Sequence, residues 1–321
     1  MSQVTVRPAR RCDCAAIYEL VRQMAENRNA RISHNISIKG LEEAGFGSQS
    51  ACNILVAEDK RGLVGYVLYY YCYSWEGRCV CVEDMYVRQS KGHEDITEAL
   101  WRNLVKIALD EGCKQFNFPP LRENKNEFYH HKTINMTKTD GYHYFRMEQE
   151  ALENFVKLNK MPEGVKVKEA TFADCTGINQ LIRDLAMYEK VPDKPQIDAK
   201  ALEDDGFGDK VFFKSYVAEA EGNIIGYTLF FHTYNWEGRG VYMEDLYVSP
   251  SFRGIGVGTA LWKKVLEACL AEQGNRCDFC VLGWNMPSIE FYKGKGARDM
   301  TEEDGFIYSV MPMKVMKEFL Q

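Results

Sequence analysis

The chain has 321 residues, 40 Lys and Arg against 46 Asp and Glu, a formal net charge of −6, and 45% hydrophobic residues. This balance excludes wholesale disorder and argues against general nucleic-acid binding, which draws on clustered Lys and Arg. No apolar run reaches the roughly 18 residues of a membrane span, and the N-terminal segment has no apolar signal core, so a cytoplasmic protein with no membrane role is expected.

Eleven cysteines are scattered through apolar stretches, which suits free thiols in a reducing compartment. Cys277-Asp-Phe-Cys280 is a lone C-x-x-C without a second ligand pair, so no metal is expected. Taken in chain order, the segments Asp13-Cys14, Gly45-Phe46-Gly47, Trp75-Glu76-Gly77-Arg78, Glu83-Asp84-Met85-Tyr86-Val87 and Ala99-Leu100-Trp101 all recur 161 residues later. Their second occurrences are Asp174-Cys175, Gly206-Phe207-Gly208, Trp236-Glu237-Gly238-Arg239, Glu244-Asp245-Leu246-Tyr247-Val248 and Ala260-Leu261-Trp262. A period this long is a duplicated domain rather than a solenoid repeat. The Pro and Gly after Asn159 put the boundary there, giving units 1–160 and 161–321.

In the second unit, 165–170 reads as a strand, and Asp174 caps a helix with Ile178, Leu181, Ile182 and Leu185 on one face. Strands follow at 215–220, 224–234 and 240–248, then a helix over 259–272. A strand at 278–284, a short helix over 287–293 led by Pro287 and a last strand at 307–311 complete it. Alternating elements with hairpins predict an α/β fold (α+β mixed sheet): two tandem units, each a mixed twisted sheet flanked by helices.

The segment Glu244 to Trp262 runs from a strand through Arg253-Gly254-Ile255-Gly256-Val257-Gly258 into the helix beginning near Thr259. The glycines let a ligand approach the main chain, and the helix start and Arg253 add positive charge. Together they predict a pyrophosphate cradle, with a spacing that is neither the dinucleotide fingerprint nor a P-loop.

This loop resembles the R/Q-x-x-G-x-G/A acetyl-CoA signature of the GNAT N-acetyltransferase superfamily. Tyr188-Glu189-Lys190, Asp205-Gly206-Phe207-Gly208, Trp284-Asn285, Pro287-Ser288-Ile289-Glu290-Phe291-Tyr292, Gly296-Ala297 and Asp304-Gly305-Phe306 extend the resemblance. They point to the spermidine/spermine N1-acetyltransferase and thialysine N-acetyltransferase (diamine acetyltransferase) group. The resemblance implies direct attack of an amine on the thioester of acetyl-CoA. It makes Glu244 the general base and Tyr292 the acid that protonates the departing thiolate. It assigns coenzyme binding to Leu246, Tyr247, Val248, Arg253, Gly254, Ile255, Gly256, Val257, Gly258, Thr259, Asn285, Ser288, Tyr292 and Lys295. The substrate pocket falls to Tyr188, Glu189, Glu244 and Asp304.

Strand alternation puts Glu244 and Asp245 on opposite faces, so at most one is expected to face the substrate. Carboxylates at the site suit a small cationic amine: a polyamine, a diamine or a thialysine- or lysine-like amino acid. One departure is Gly283, where the polyamine enzymes carry an acidic residue before the Trp. Two other readings keep the fold: a non-catalytic acetyl-CoA- or polyamine-binding regulatory protein, and a protein or arylalkylamine N-acetyltransferase.

The first unit reads differently in the same frame. At offset 161, Arg253, Gly254, Ile255, Gly256 and Gly258 become Gly92, His93, Glu94, Asp95 and Thr97, and Tyr188-Glu189 becomes Asn27-Arg28. Side chains and two carboxylates in the cradle oppose a pyrophosphate. Downstream, Asn285, Pro287 and Ser288 give way to Arg122, Asn124 and Lys125, with Tyr129 opposite Tyr292. The first unit is therefore expected to be GNAT-like and non-catalytic. It would serve as a built-in partner in an intramolecular pseudo-dimer, the tandem itself being a monomer or a homodimer. The alternative is two independent units on a linker.

Overall fold

In the computed structural model, residues 4–28, 36–48, 50–89, 92–122, 132–158, 162–318 and 320–321 are described. The strands, in chain order, are β1 (Thr5–Pro8), β2 (Asn53–Asp59), β3 (Gly62–Ser74), β4 (Gly77–Val87), β5 (Gln115–Arg122), β6 (Ile134–Asn135) and β7 (Tyr142–Glu148). They continue as β8 (Lys166–Glu169), β9 (Lys214–Ala220), β10 (Asn223–Asn235), β11 (Gly238–Val248), β12 (Arg276–Leu282), β13 (Arg298–Asp299) and β14 (Phe306–Pro312). Two seven-stranded mixed sheets result, ordered β1-β2-β3-β4-β5-β14-β6 and β8-β9-β10-β11-β12-β7-β13.

The two orders are the same pattern with one exchange. β7, from the first half, lies antiparallel on β12, while β14, from the second half, lies antiparallel on β5. Helices travel with these strands. Leu152 and Phe155 of the helix Gln149–Leu158 join Phe145 and Met147 of β7 in the second unit's core. Met311 of β14 and Met316 of the helix Met313–Glu318 join the first unit's core. Burying a large apolar side chain is worth about 1.5–3 kcal/mol. The four residues donated to the second core thus contribute roughly 6–12 kcal/mol, the scale of a whole domain's net stability. Neither half of the chain closes its own sheet, and the units are not independent bodies on a linker.

The hairpin tips cross as well. Trp75, at the β3–β4 turn, donates its indole N–H to Asp245 Oδ2 at 3.0 Å, and Trp236, at the β10–β11 turn, donates to Asp84 Oδ2 at 2.7 Å. Arg78 pairs with Asp205 at 2.6 Å. These contacts explain the repeated Trp-Glu-Gly-Arg segment: each copy reaches across to the other unit's Glu-Asp strand.

The predicted elements of the second unit are present, with ends shifted by no more than two residues. Three helices were not anticipated: Met300–Asp304, Met313–Glu318 and Ala199–Phe207. Asp198 caps Ala199–Phe207 by accepting from Ala201 N at 2.8 Å. Its nine residues are too short to show a clear helical period.

Candidate active site

The site begins where two parallel strands part. β11 and β12 are paired only through Val241, Tyr242 and Met243. A bulge interrupts β11 against β10, so that Leu229 pairs with Asp245 and Phe230 with Met243, leaving Glu244 as the extra residue. A bulge bends its strand and re-aims the side chain. Beyond it, no strand among the described residues pairs with the β12-facing edge of residues 244–248, and a cleft of about 550 Å³ opens there.

Leu246, Tyr247, Val248, Arg253, Gly254, Gly256, Val257, Gly258, Thr259, Asn285, Ser288, Tyr292 and Lys295 line this cleft together with Tyr188, Glu189 and Glu244. The cradle runs into the helix Val257–Ala271, whose cap, Gly256, has φ +96°. A side chain there would be strained. The first amides of the helix have no intrahelical partner and face the approach of an anion. Arg253 donates from Nε to the Val248 carbonyl at 2.8 Å, and its guanidinium lies over the rings of Tyr188 and Tyr247 at 5.0 and 5.3 Å. Asn285 caps the helix Met286–Lys293 and accepts from the Tyr188 hydroxyl at 3.0 Å. The residues present therefore fit a pyrophosphate-bearing ligand at the cradle and an extended arm along the open strand edge.

Tyr292 packs against Phe279 (4.3 Å) and edge-on to Trp262 (5.0 Å). Burial pushes its phenol well above the usual range, so the hydroxyl stays protonated.

A second, smaller cavity of about 90 Å³ lies on the other side of the bulge. Glu189, Glu244 and Asp245 face both cavities. Its remaining wall comes largely from the first unit and the exchanged strands, notably Trp75, Glu76, Gln115, Tyr142 and Tyr308. Asp245 is held by the indole of Trp75 and by the Tyr227 hydroxyl at 2.9 Å. Burial raises its carboxyl to about 6 against the pull of those bonds. Burial and the neighbouring Asp245 push Glu189 to about 7 and Glu244 well above the carboxylate range. Glu244 has no ion pair or side-chain hydrogen bond among the described residues.

The family model described as "Acetyltransferase (GNAT) family" matches residues 179–297. A bovine (Bos taurus) thialysine N-epsilon-acetyltransferase is 41% identical over 151 residues, 44% of this chain and 89% of that protein. The chain belongs to the GNAT acetyltransferase family. Within that family, a human spermidine/spermine N(1)-acetyltransferase-like protein 1 is 32% identical over 149 residues, 44% of this chain and 21% of the relative. An X-ray structure of a Drosophila protein shares the fold along 96% of this chain and 98% of its own, at 14% identity and a TM-score of 0.50. These matches place the chain in the thialysine and spermidine/spermine acetyltransferase-like group.

Three expectations need correction within the GNAT frame. Glu244 and Asp245 do not separate onto opposite faces, because the bulge breaks the alternation and both carboxyls reach the same cavities. Asp304 lines neither cavity. It ends the helix Met300–Asp304, with Arg298 Nη2 at 3.4 Å from its Oδ2. Ile255 is 57% exposed and does not line the cleft.

Gly283 acquires a physical reason. A Cβ there would sit 3.0 Å from His143 Nε2 and 3.1 Å from the Gly141 carbonyl, which accepts from Gly283 N. The exchanged strand occupies the space an acidic side chain would need.

The first unit lacks the cradle for a reason sharper than residue identity. Its helix His93–Asp110 starts three residues earlier in the frame than Val257–Ala271, capped by Gly92 at φ +87°. Glu94 and Asp95 therefore lie in a helical turn where the second unit has an open loop. Arg28 pairs with Asp84 at 3.0 Å, the reversal of charge expected from Asn27-Arg28. Asn124, Lys125 and Tyr129 lie outside the described residues.

Sequence reasoning missed Trp75, Glu76, Gln115, Tyr142 and Tyr308 as site residues. The repeated Trp-Glu-Gly-Arg segment was a usable signal for the first two, but nothing local shows that it reaches the other unit. Among the described residues, no group of three His, Cys, Asp or Glu is placed to hold a metal ion, and no helix is long and apolar enough to cross a membrane.

Proposed function

We propose that the protein transfers acetyl from acetyl-CoA to a primary amine of a small cationic substrate, a polyamine, diamine or thialysine- or lysine-like amino acid. Residues 161–321 would carry the catalytic groups. The observation that carries this reading is Glu244, unpaired at a bulge where a coenzyme-sized cleft meets an acidic pocket. Relatives named thialysine N-epsilon-acetyltransferase support it.

The chemistry follows from the groups present. The incoming ammonium, with an ordinary pKa near 10.4, must lose a proton before its lone pair can attack. Glu189, Glu76 and Asp245 attract and orient the cation, and Glu244 takes its proton, directly or through a water. A carboxyl raised by burial is better matched as a base than an ordinary one. The nitrogen forms its bond to the thioester carbonyl carbon, and the charge that develops on oxygen is met by a main-chain N–H on the open edge of residues 246–248. The C–S bond then breaks, the thiolate takes the Tyr292 hydroxyl proton, and the excess proton on the acylated nitrogen passes to the Tyr292 phenolate, leaving a neutral amide and a restored phenol. Arg253, Gly254, Gly256, Gly258, Thr259, Asn285, Ser288 and Lys295 hold the coenzyme.

The test is a panel of spermidine, spermine, putrescine, thialysine, lysine, an arylalkylamine and a peptide, each incubated with acetyl-CoA while free thiol is followed. Turnover with a diamine-like substrate is expected. Absence of turnover with every amine overturns the enzymatic reading.

A further inference from the structure

The bulge and the carboxylate pair that build the acceptor pocket are duplicated in the first unit. There Leu68 pairs with Asp84 and Tyr69 with Val82, leaving Glu83 as the extra residue of β4, as Glu244 is in β11. Glu83 faces a cavity of about 290 Å³, larger than the acceptor pocket of the second unit. Eight of its 22 lining residues are aromatic, among them Tyr70, Phe118, Tyr144, Phe231, Trp236 and Tyr308. No coenzyme cradle serves it, since the helix His93–Asp110 has grown into that loop.

Its charges are arranged for one cation. Arg28, Arg146 and Arg276 line it against Glu83, Asp84, Glu237 and Asp278. Asp84 is engaged by Arg28, Trp236 and Tyr66, and Asp278 by Arg146 at 2.7 Å and Arg276 at 3.1 Å. Glu237 pairs with Arg146 at 2.7 Å. Among the described residues, Glu83 meets only the Tyr70 hydroxyl, at a long 3.4 Å. Burial raises its carboxyl to about 7; Arg276 opposes that rise, while Asp84, Asp278 and Glu237 add to it. An ammonium at Glu83 would form a charge-assisted hydrogen bond and favour its ionised form. The aromatic wall would enclose an apolar or aromatic body and favour a cation over its ring faces. A second ammonium would meet three guanidiniums.

We propose that the first unit has kept an acceptor-type pocket as a non-catalytic binding site for a monoamine with a compact aromatic body, held through Glu83. This goes beyond the acetyl transfer proposed for the second unit and does not depend on it.

The probe is 2-phenylethylamine, titrated calorimetrically into the full chain without acetyl-CoA. Wild type and Glu244→Gln are expected to show the same saturable binding at the first unit. Glu83→Gln should weaken it about tenfold or more, the scale of a lost charge-assisted bond. Cys81→Phe, which fills the cavity from the same strand, should abolish it. For wild type, 3-phenylpropionate (the same body with the opposite charge) and putrescine should bind this site at least tenfold more weakly. Loss of binding in Glu244→Gln, equal binding by Glu83→Gln, or no saturable binding by wild type overturns the proposal. Melting curves for both first-unit variants separate loss of the site from loss of the fold, and the comparison of the amine with 3-phenylpropionate needs no variant.

Discussion

The loops that follow β4 and β11 start from the same strand and lead into the same kind of helix, each with a buried Trp at its centre (Trp101 and Trp262). In the second unit the helix waits until Val257, and two positive-φ glycines hold the loop open. In the first it begins at His93, so its N-terminus sits about 4.5 Å further forward along its axis, at 1.5 Å per residue. Three residues changing from loop to helix remove an anion site while leaving the sheet, the bulge and the core intact. Loss of the glycine cradle and loss of the fold are thus separable. The first unit has lost the cradle but still supplies a wall of the other's acceptor pocket.

The hardest test of that division is to cut it. Residues 162–321 alone lack β7 and the helix Gln149–Leu158, leaving one flank of β12 unpaired and the core without four buried apolar residues. We expect an insoluble or inactive fragment by gel filtration and thiol-release assay. A stable, fully active monomer would show that the exchange is dispensable.

Next in size is the carboxyl proposed as the base. Glu244→Gln should lower kcat by about 10²–10⁴-fold, the range for a positioned general base. Tyr292→Phe should lower it too, with folding unchanged in a thermal melt. An unchanged rate for either would remove that residue from the mechanism.

The mirrored tryptophans separate function from packing. Each indole donates one hydrogen bond to a buried Asp of the other unit. Trp75→Phe and Trp236→Phe should each cost about 1–3 kcal/mol of stability in a denaturant titration. Only Trp75→Phe, which releases Asp245, should lower kcat/KM, by about tenfold. Equal rate losses from both would mean that the units contribute symmetrically.

The last test, which leaves the second unit untouched, is a pH dependence of stability. Glu83 ionises near 4.5 when exposed but near 7 in the folded chain. Below 4.5 it is protonated in both states and has no effect. As pH rises from 4.5 to 7 the unfolded state ionises first, so folding is progressively disfavoured, and the penalty is complete above 7. Glu83→Gln should therefore be more stable than wild type by about 3 kcal/mol at pH 8, with the gap closing by pH 4.5. A gap independent of pH would show that the carboxyl titrates normally.

Much of the molecule was legible in the residues because the signals are local. Glycine spacing before a helix, the apolar face of Ile178 to Leu185 and the 161-residue period each depend on near neighbours or on simple recurrence. The bulge at Glu244 was not legible, since an extra residue shows only against a partner strand. Asp304 was misplaced because matching a motif fixes a residue's place in the chain, not the cavity its side chain reaches.

The sequence by itself determined two α/β units, one with a cradle and one without. Only the tertiary structure decided which strand completes which sheet. β7 and β14 carry the same alternating pattern whichever sheet they join, and their choice depends on packing against residues more than a hundred positions away. That choice builds the acceptor pocket from both halves of the chain.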